Sequence, residues 1–174
     1  MRLPGIVAIV GTLAMTAACA SSGAVPRPFP GPRRTQAEAG DVSGKPSVAD
    51  TAVVGTALAL QGVPYREGGS GPGGFDCSGF TQYVYAQYGV ALPREVRDQF
   101  EQGVSIRDSE VAPGDLLFFS TVAPGPTHVA IAIGGDQFVH APSSTGVVRV
   151  ERLSTRYWSA RYLGARRPNH AALN

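Results

Sequence analysis

Three side chains in this sequence have the chemistry to act on a carbonyl group: the thiol of Cys77 and the imidazoles of His128 and His140. Cys77 stands in Phe75-Asp76-Cys77-Ser78-Gly79-Phe80, directly after a glycine-rich run from Gly68 to Gly74, and it opens a segment with helical apolar spacing at Phe80, Val84 and Tyr88. At a helix N-terminus the unpaired N–H groups and the positive end of the dipole favour thiolate over thiol, which makes a cysteine a nucleophile near neutral pH. The competing reading of a free cysteine is a small buried hydrophobe. The histidines flank a turn at Gly134-Gly135-Asp136, and a hairpin with its tip near Gly134 makes them cross-strand neighbours on one face. A thiol, an imidazole and a second polar ring are the parts of a nucleophile, a base and an orienter. Cys77 would attack a carbonyl carbon, His128 would hold the thiol proton and return it to the leaving amine, and His140 would fix the ring of His128. The Cys77 backbone N–H, at the helix start, is a natural oxyanion donor.

Other chemistries fit less well. Cys77, His128 and His140 are possible zinc ligands, yet no spacing of the C-x-x-C or H-E-x-x-H type is present. Either histidine alone reads as a hydrogen-bonded strand residue; two converging on one face do not. The glycine run lacks the G-K-[ST] ending of a phosphate loop. The reading needs no metal and no cofactor.

The elements that must position these groups follow from the apolar spacing. A first helix is expected over Val48–Gln61 and ends at Gly62-Val63-Pro64; the central helix follows the glycine loop and stops at Gly89; a third begins at Leu92-Pro93-Arg94 and runs to about Phe100. The period then changes. Strands are expected at Leu116–Phe119, His128–Ile133, Gln137–Ala141, Val147–Leu153 and Tyr162–Arg166, with a turn at Pro113-Gly114-Asp115. Helices followed by antiparallel strands make an α+β fold, a sheet covered on one face by helices. Along the His128 strand, Ala130 and Ala132 share the histidine's face, and their small side chains would let the Cys77 helix pack close.

The ends of the chain carry a different signal. Arg2, the apolar run Leu3–Leu13 and the small residues to Ala18 form an export signal over residues 1–18. Thr16-Ala17-Ala18-Cys19 is similar to a bacterial lipobox, with Cys19 as the lipidated residue; ordinary cleavage after Ala20 is the other possibility, and it would leave a secreted protein. Residues 19–46, rich in Pro, Gly, Arg and Ser, read as a disordered linker, residues 47–168 as the folded domain and 169–174 as a tail. Only two cysteines are present, so with Cys19 acylated or removed an exported chain carries one unpaired thiol. A formal net charge of +2, from 15 basic and 13 acidic residues, forms no basic stripe, and nucleic acid is not an implied partner.

Taken together, several motifs carry a resemblance. Gly62-Val63-Pro64-Tyr65, Gly68-Gly69, Phe75-Asp76-Cys77-Ser78-Gly79-Phe80, Gly89-Val90 with Leu92-Pro93-Arg94, Pro113-Gly114-Asp115-Leu116, His128-Val129-Ala130-Ile131 and Phe138-Val139-His140-Ala141 resemble, in this order, the NlpC-type bacterial cell-wall peptidases, a papain-like cysteine peptidase family. The resemblance implies a papain-like α+β fold and hydrolysis of amide bonds in peptidoglycan stem peptides, typically between the γ-carboxyl of D-glutamate and a diamino acid. It implies Cys77 as nucleophile, His128 as base and His140 as the third polar residue. It places the Tyr65 hydroxyl near the oxyanion, and Asp76, Ser78 and Arg94 in the substrate subsite. For Arg94 there is also a direct rationale, since guanidinium binds the carboxylates of stem peptides bidentately. The expected protein is an exported, lipid-anchored or secreted enzyme of the cell envelope. The alternatives are a wall amidase or acyl transferase using the same relay, and a non-catalytic lipoprotein that binds wall fragments.

Overall fold

The computed structural model describes residues 48–169. The export signal, Cys19, the linker, Ser47 and residues 170–174 lie outside the described residues. Helix α1 (Val48–Ala59) is followed by a minimal hairpin, β1 (Ser70–Gly71) and β2 (Gly74–Phe75), then α2 (Cys77–Ala86), α3 (Val96–Glu101), β3 (Val104–Ile106), β4 (Leu116–Phe119), β5 (His128–Gly134), β6 (Gln137–His140), β7 (Arg149–Arg152), α4 (Arg156–Ser159) and β8 (Tyr162–Arg167). The long strands form one antiparallel sheet in the order β3-β8-β4-β5-β6-β7. This is the expected α+β arrangement.

Each face of the sheet has its own core. Val53 and Ala57 of α1 and Phe80, Val84 and Tyr85 of α2 pack on Leu116, Phe118, Val129, Ile131 and Val139. The opposite face gathers Leu117, Phe119, Ala130, Ala132, Phe138 and Ala165 around Trp158 of α4. The alternation along β5 is therefore as read from the sequence, but the helices cover the other side. The branched residues Val129 and Ile131 supply the apolar surface that α2 needs, whereas the small Ala130 and Ala132 make room for the Trp158 indole.

The third helix also differs from expectation. It starts at Val96, so Leu92, Pro93 and Arg94 precede it as irregular chain. The physical reason lies in Gln99, fully buried, whose Nε2 donates to the carbonyls of Pro93 (2.8 Å) and Ser78 (3.1 Å) while its Oε1 accepts from the Thr81 hydroxyl (2.8 Å). These bonds fix the Pro93 segment outside the helix and tie it to the first turn of α2. At the other end of the sheet, Asp115 is buried and takes two hydrogen bonds from Arg167, at 2.8 and 2.9 Å, closing β8 over the turn that enters β4.

Candidate active site

Helix α2 begins at Cys77 because the residue before it is a strong cap. Asp76 has extended backbone, and its Oδ1 accepts from the Gly79 N–H at 2.7 Å. The glycine loop in turn holds Asp76, whose N–H donates to the Gly69 carbonyl at 3.0 Å. Arg94 spans to the same carboxylate: Nη1 donates to Asp76 Oδ1 at 3.0 Å and to Ser78 Oγ at 2.7 Å, and Nη2 pairs with Oδ2. Asp76, Ser78 and Arg94 thus come together beside the thiol. The guanidinium, expected to face a substrate carboxylate, is already engaged with a carboxylate of the protein itself.

Tyr65 reaches the same place through a bridge to Phe75. Burial raises its phenol above the ordinary value, and the neighbouring Cys77 and Asp76 push in the same direction. The thiol is half-buried and sits on the α1–α2 core. Burial raises Cys77 above an ordinary thiol; the N–H groups of Val129, Ser78 and Cys77 itself oppose this, and the Asp76 carboxylate adds to it. The expected preference for thiolate is therefore reversed. The helix N-terminus acts in the anticipated direction, but desolvation outweighs it. Among the groups that lower the thiol is the Val129 N–H, so Cys77 meets β5 at the residue after His128.

His128 Nε2 and His140 Nδ1 are 2.8 Å apart, with both residues buried. The pairing is diagonal rather than direct. Ile131 lies opposite Val139, and carrying that register on by one residue puts His140 opposite Ala130, because the turn is centred on Gly135-Asp136 rather than on Gly134 and the irregularity between Ala132 and Gly134 takes back only one residue of that difference. The Ala130 methyl leaves the space in which the rings meet. Trp158 stacks on His128 at 5.4 Å between centroids and stands edge-on to His140 at 5.0 Å. Burial lowers His128 to about 4; burial, His128 and Arg149 lower His140 to about 2, so both rings are neutral at pH 7. With Nε2 given to His140, the nitrogen of His128 that remains for a proton from sulfur is Nδ1.

Three residues of this constellation escaped the sequence reading. Gln99 sits among polar helix residues that otherwise face water, and only its burial reveals it. Trp158 is the sole tryptophan of the chain, a weak signal that it fills something large. Glu151, on the strand beside His140, carries no signal of its own.

The NlpC/P60 family model matches residues 62–167, a span that contains Tyr65, Asp76, Cys77, Ser78, Arg94, His128 and His140. The chain belongs to the NlpC/P60 family. It is 41% identical over 119 residues to the gamma-DL-glutamyl hydrolase of Bacillus subtilis, covering 66% of this chain and 29% of that protein. It is 45% identical over 108 residues to the murein DD-endopeptidase MepS/murein LD-carboxypeptidase of Escherichia coli, covering 62% of this chain and 56% of the relative. The match thus spans less than two thirds of either relative. Among solved structures, an NlpC/P60 family protein from Bacillus cereus superposes with a TM-score of 0.65 at 34% identity, over 71% of this chain and 41% of that one. Helix α1 precedes the family match, whereas Glu151 and Trp158 fall within it.

Proposed function

We propose that this NlpC/P60 protein is a cysteine endopeptidase that hydrolyses amide bonds in peptidoglycan stem peptides, at the bond between the γ-carboxyl of D-glutamate and a diamino acid. The observation that carries the reading is the paired imidazoles, joined at 2.8 Å, with His128 next in the chain to Val129, whose N–H faces the Cys77 thiol. The names of relatives, a gamma-DL-glutamyl hydrolase and a murein endopeptidase, supply the substrate class.

Because the thiol and the imidazoles rest neutral, His128 acts as a general base as the sulfur attacks, rather than as one half of a standing ion pair. The Cys77 Sγ–carbon bond forms, the thiol proton passes to His128 Nδ1, and the oxyanion is received by the Cys77 N–H and the Tyr65 hydroxyl. His128 then protonates the departing amine as the C–N bond breaks, which leaves a thioester. Water adds to that thioester with His128 taking its proton, and Cys77 leaves with the proton restored. Asp76, with Arg94 and Ser78 holding it, presents an anchored carboxylate at the edge of the site for the N-terminal side of a stem peptide.

Mass spectrometry of muropeptides digested with wild type and Cys77→Ala tests the reading. Products ending in D-glutamate and others beginning with the diamino acid, absent with Cys77→Ala, are expected. Cleavage at the glycan-to-alanine amide, or transfer of the acyl group to an added amine, overturns it in favour of an amidase or a transferase. His140→Asn should be milder than His128→Ala, since an amide oxygen still accepts from His128 Nε2.

The same proposal extends to location: an exported enzyme, held at the membrane by a lipid on Cys19. The lipobox-like Thr16-Ala17-Ala18-Cys19 supports it. Incorporation of labelled palmitate that is lost in Cys19→Ala is the expected result; equal release of both proteins into the medium overturns the anchor.

A further inference from the structure

His140 Nε2 is buried and has no hydrogen-bond partner among the described residues. Glu151 Oε1 lies 3.8 Å from it. In the pairing of β6 with β7, Arg149 stands opposite His140 and Glu151 opposite Phe138, so both charged side chains share the histidine face. Glu151 is anchored there: its Oε2 accepts from the Trp158 indole N–H, and Arg149 Nε lies 3.2 Å from Oε1. The indole that holds the carboxylate is the one stacked on His128.

We propose that Glu151 is a positioning residue, which sets the tautomers of both histidines and so the direction of proton transfer at Cys77. The inference rests on the cysteine peptidase reading. A carboxylate only accepts, so a neutral His140 carries its proton on Nε2, toward Glu151, and presents the Nδ1 lone pair to His128. The 2.8 Å contact then makes His128 Nε2 the donor. That leaves the Nδ1 lone pair of His128 open to the thiol proton. In the opposite tautomer the proton would sit on His128 Nδ1, where nothing could be accepted from sulfur. At 3.8 Å the carboxylate is farther than a hydrogen bond, and it acts as a charge facing the ring N–H in low-dielectric surroundings.

The charged and titratable groups facing His140 are His128 from β5 and Arg149 and Glu151 from β7. Arg149 opposes a proton on His140, and the Glu151 carboxylate, 3.8 Å from His140 Nε2, has the opposite sign. Loss of the Glu151 charge therefore makes the imidazolium formed during turnover harder to reach.

Two measurements on the full chain test this. The first needs no substrate: ring ¹⁵N shifts of His140 in the wild type at pH 7 should show the proton on Nε2, and a proton on Nδ1 overturns the proposal. The second compares Glu151→Gln and Glu151→Asp with wild type on a γ-D-glutamyl-diamino acid peptide. Glu151→Gln should lower kcat about tenfold with KM within about twofold and move the acid limb of kcat to lower pH, while Glu151→Asp keeps more of the activity. Unchanged kcat with an unmoved limb overturns the proposal, as does loss of kcat with no shift of the limb. Should Glu151→Gln not fold, the wild-type tautomer and Glu151→Asp still decide. A wild type that cleaves no stem peptide would defeat the peptidase reading instead, with the tautomer still deciding the role of Glu151.

Discussion

A Cβ placed on Gly79 would lie 2.0 Å from the carbonyl oxygen of Gly69. The close approach exists because the glycine loop folds against the first turn of α2, where the Gly69 carbonyl also receives the Asp76 N–H. The atom in the way is backbone and cannot swing aside. Gly79→Ala should therefore displace the loop, lower stability by roughly 1–3 kcal/mol as overpacking does, and reduce turnover by more than the fraction unfolded explains. Urea denaturation alongside kinetics on the same preparation checks it; wild-type activity with an unchanged midpoint would contradict it.

Arg94 and Asp76 form a pair that is partly open to solvent, so its share of stability is small, about 1 kcal/mol or less. Its geometry matters more. One guanidinium nitrogen serves both Asp76 and Ser78 while the other holds the second carboxylate oxygen. Lysine offers one point charge in place of a planar fork. Arg94→Lys is expected to lose at least about tenfold in kcat/KM with a thermal midpoint close to wild type; a loss of stability that matches the loss of activity would mean the pair is merely structural.

Burial that raises the Cys77 thiol has a direct chemical readout. The thiolate is the species that reacts with iodoacetamide, so at pH 7 Cys77 should alkylate more slowly than a free small thiol, and its rate should climb with pH to a midpoint above that of the free thiol. Alkylation that is already maximal at pH 6 would establish a standing thiolate–imidazolium pair, and the general-base sequence would fall.

Where local sequence governs, the elements were legible. Leu116–Phe119 is a strand of four buried apolar residues between a proline-glycine turn and a loop, and it lies where the apolar run predicts. The helix start at Cys77 follows from Asp76 as cap and the glycines before it. What sequence does not encode is the choice between faces. Period-2 alternation along His128–Gly134 separates two sets of side chains without saying which set meets the helices, and that depends on Trp158, thirty residues away from His128 in the chain but stacked on its ring. The short β3 at Val104–Ile106, with its two exposed residues, is too brief for its Val-Ser-Ile alternation to stand out and exists through pairing with β8. Glu151 and Gln99 take their roles from partners on other elements, His140 and Trp158 in one case and Ser78 and Pro93 in the other.

The buried imidazole pair makes stability depend on pH in a specific window. Burial holds His128 at about 4 and His140 at about 2, against 6.5 for a free ring. Between pH 6.5 and about 4 the unfolded chain binds protons at these positions and the folded chain does not, so stability rises with pH through the window. It is fully present above pH 6.5 and drains away as pH falls toward 4. A ring moved from 6.5 to about 4 corresponds to about 3 kcal/mol, an upper figure for His128 alone. Urea midpoints measured at pH 8, 7, 5.5 and 4.5 should be equal for the first two and fall for the others. Replacing His128 with Asn removes one titrating ring from both states, and the fall below pH 6.5 should become shallower even if the variant is less stable throughout. A wild-type midpoint that stays level from pH 7 to pH 4.5 would mean the rings accept protons in the folded state as easily as in water, and the neutral relay would have to be abandoned.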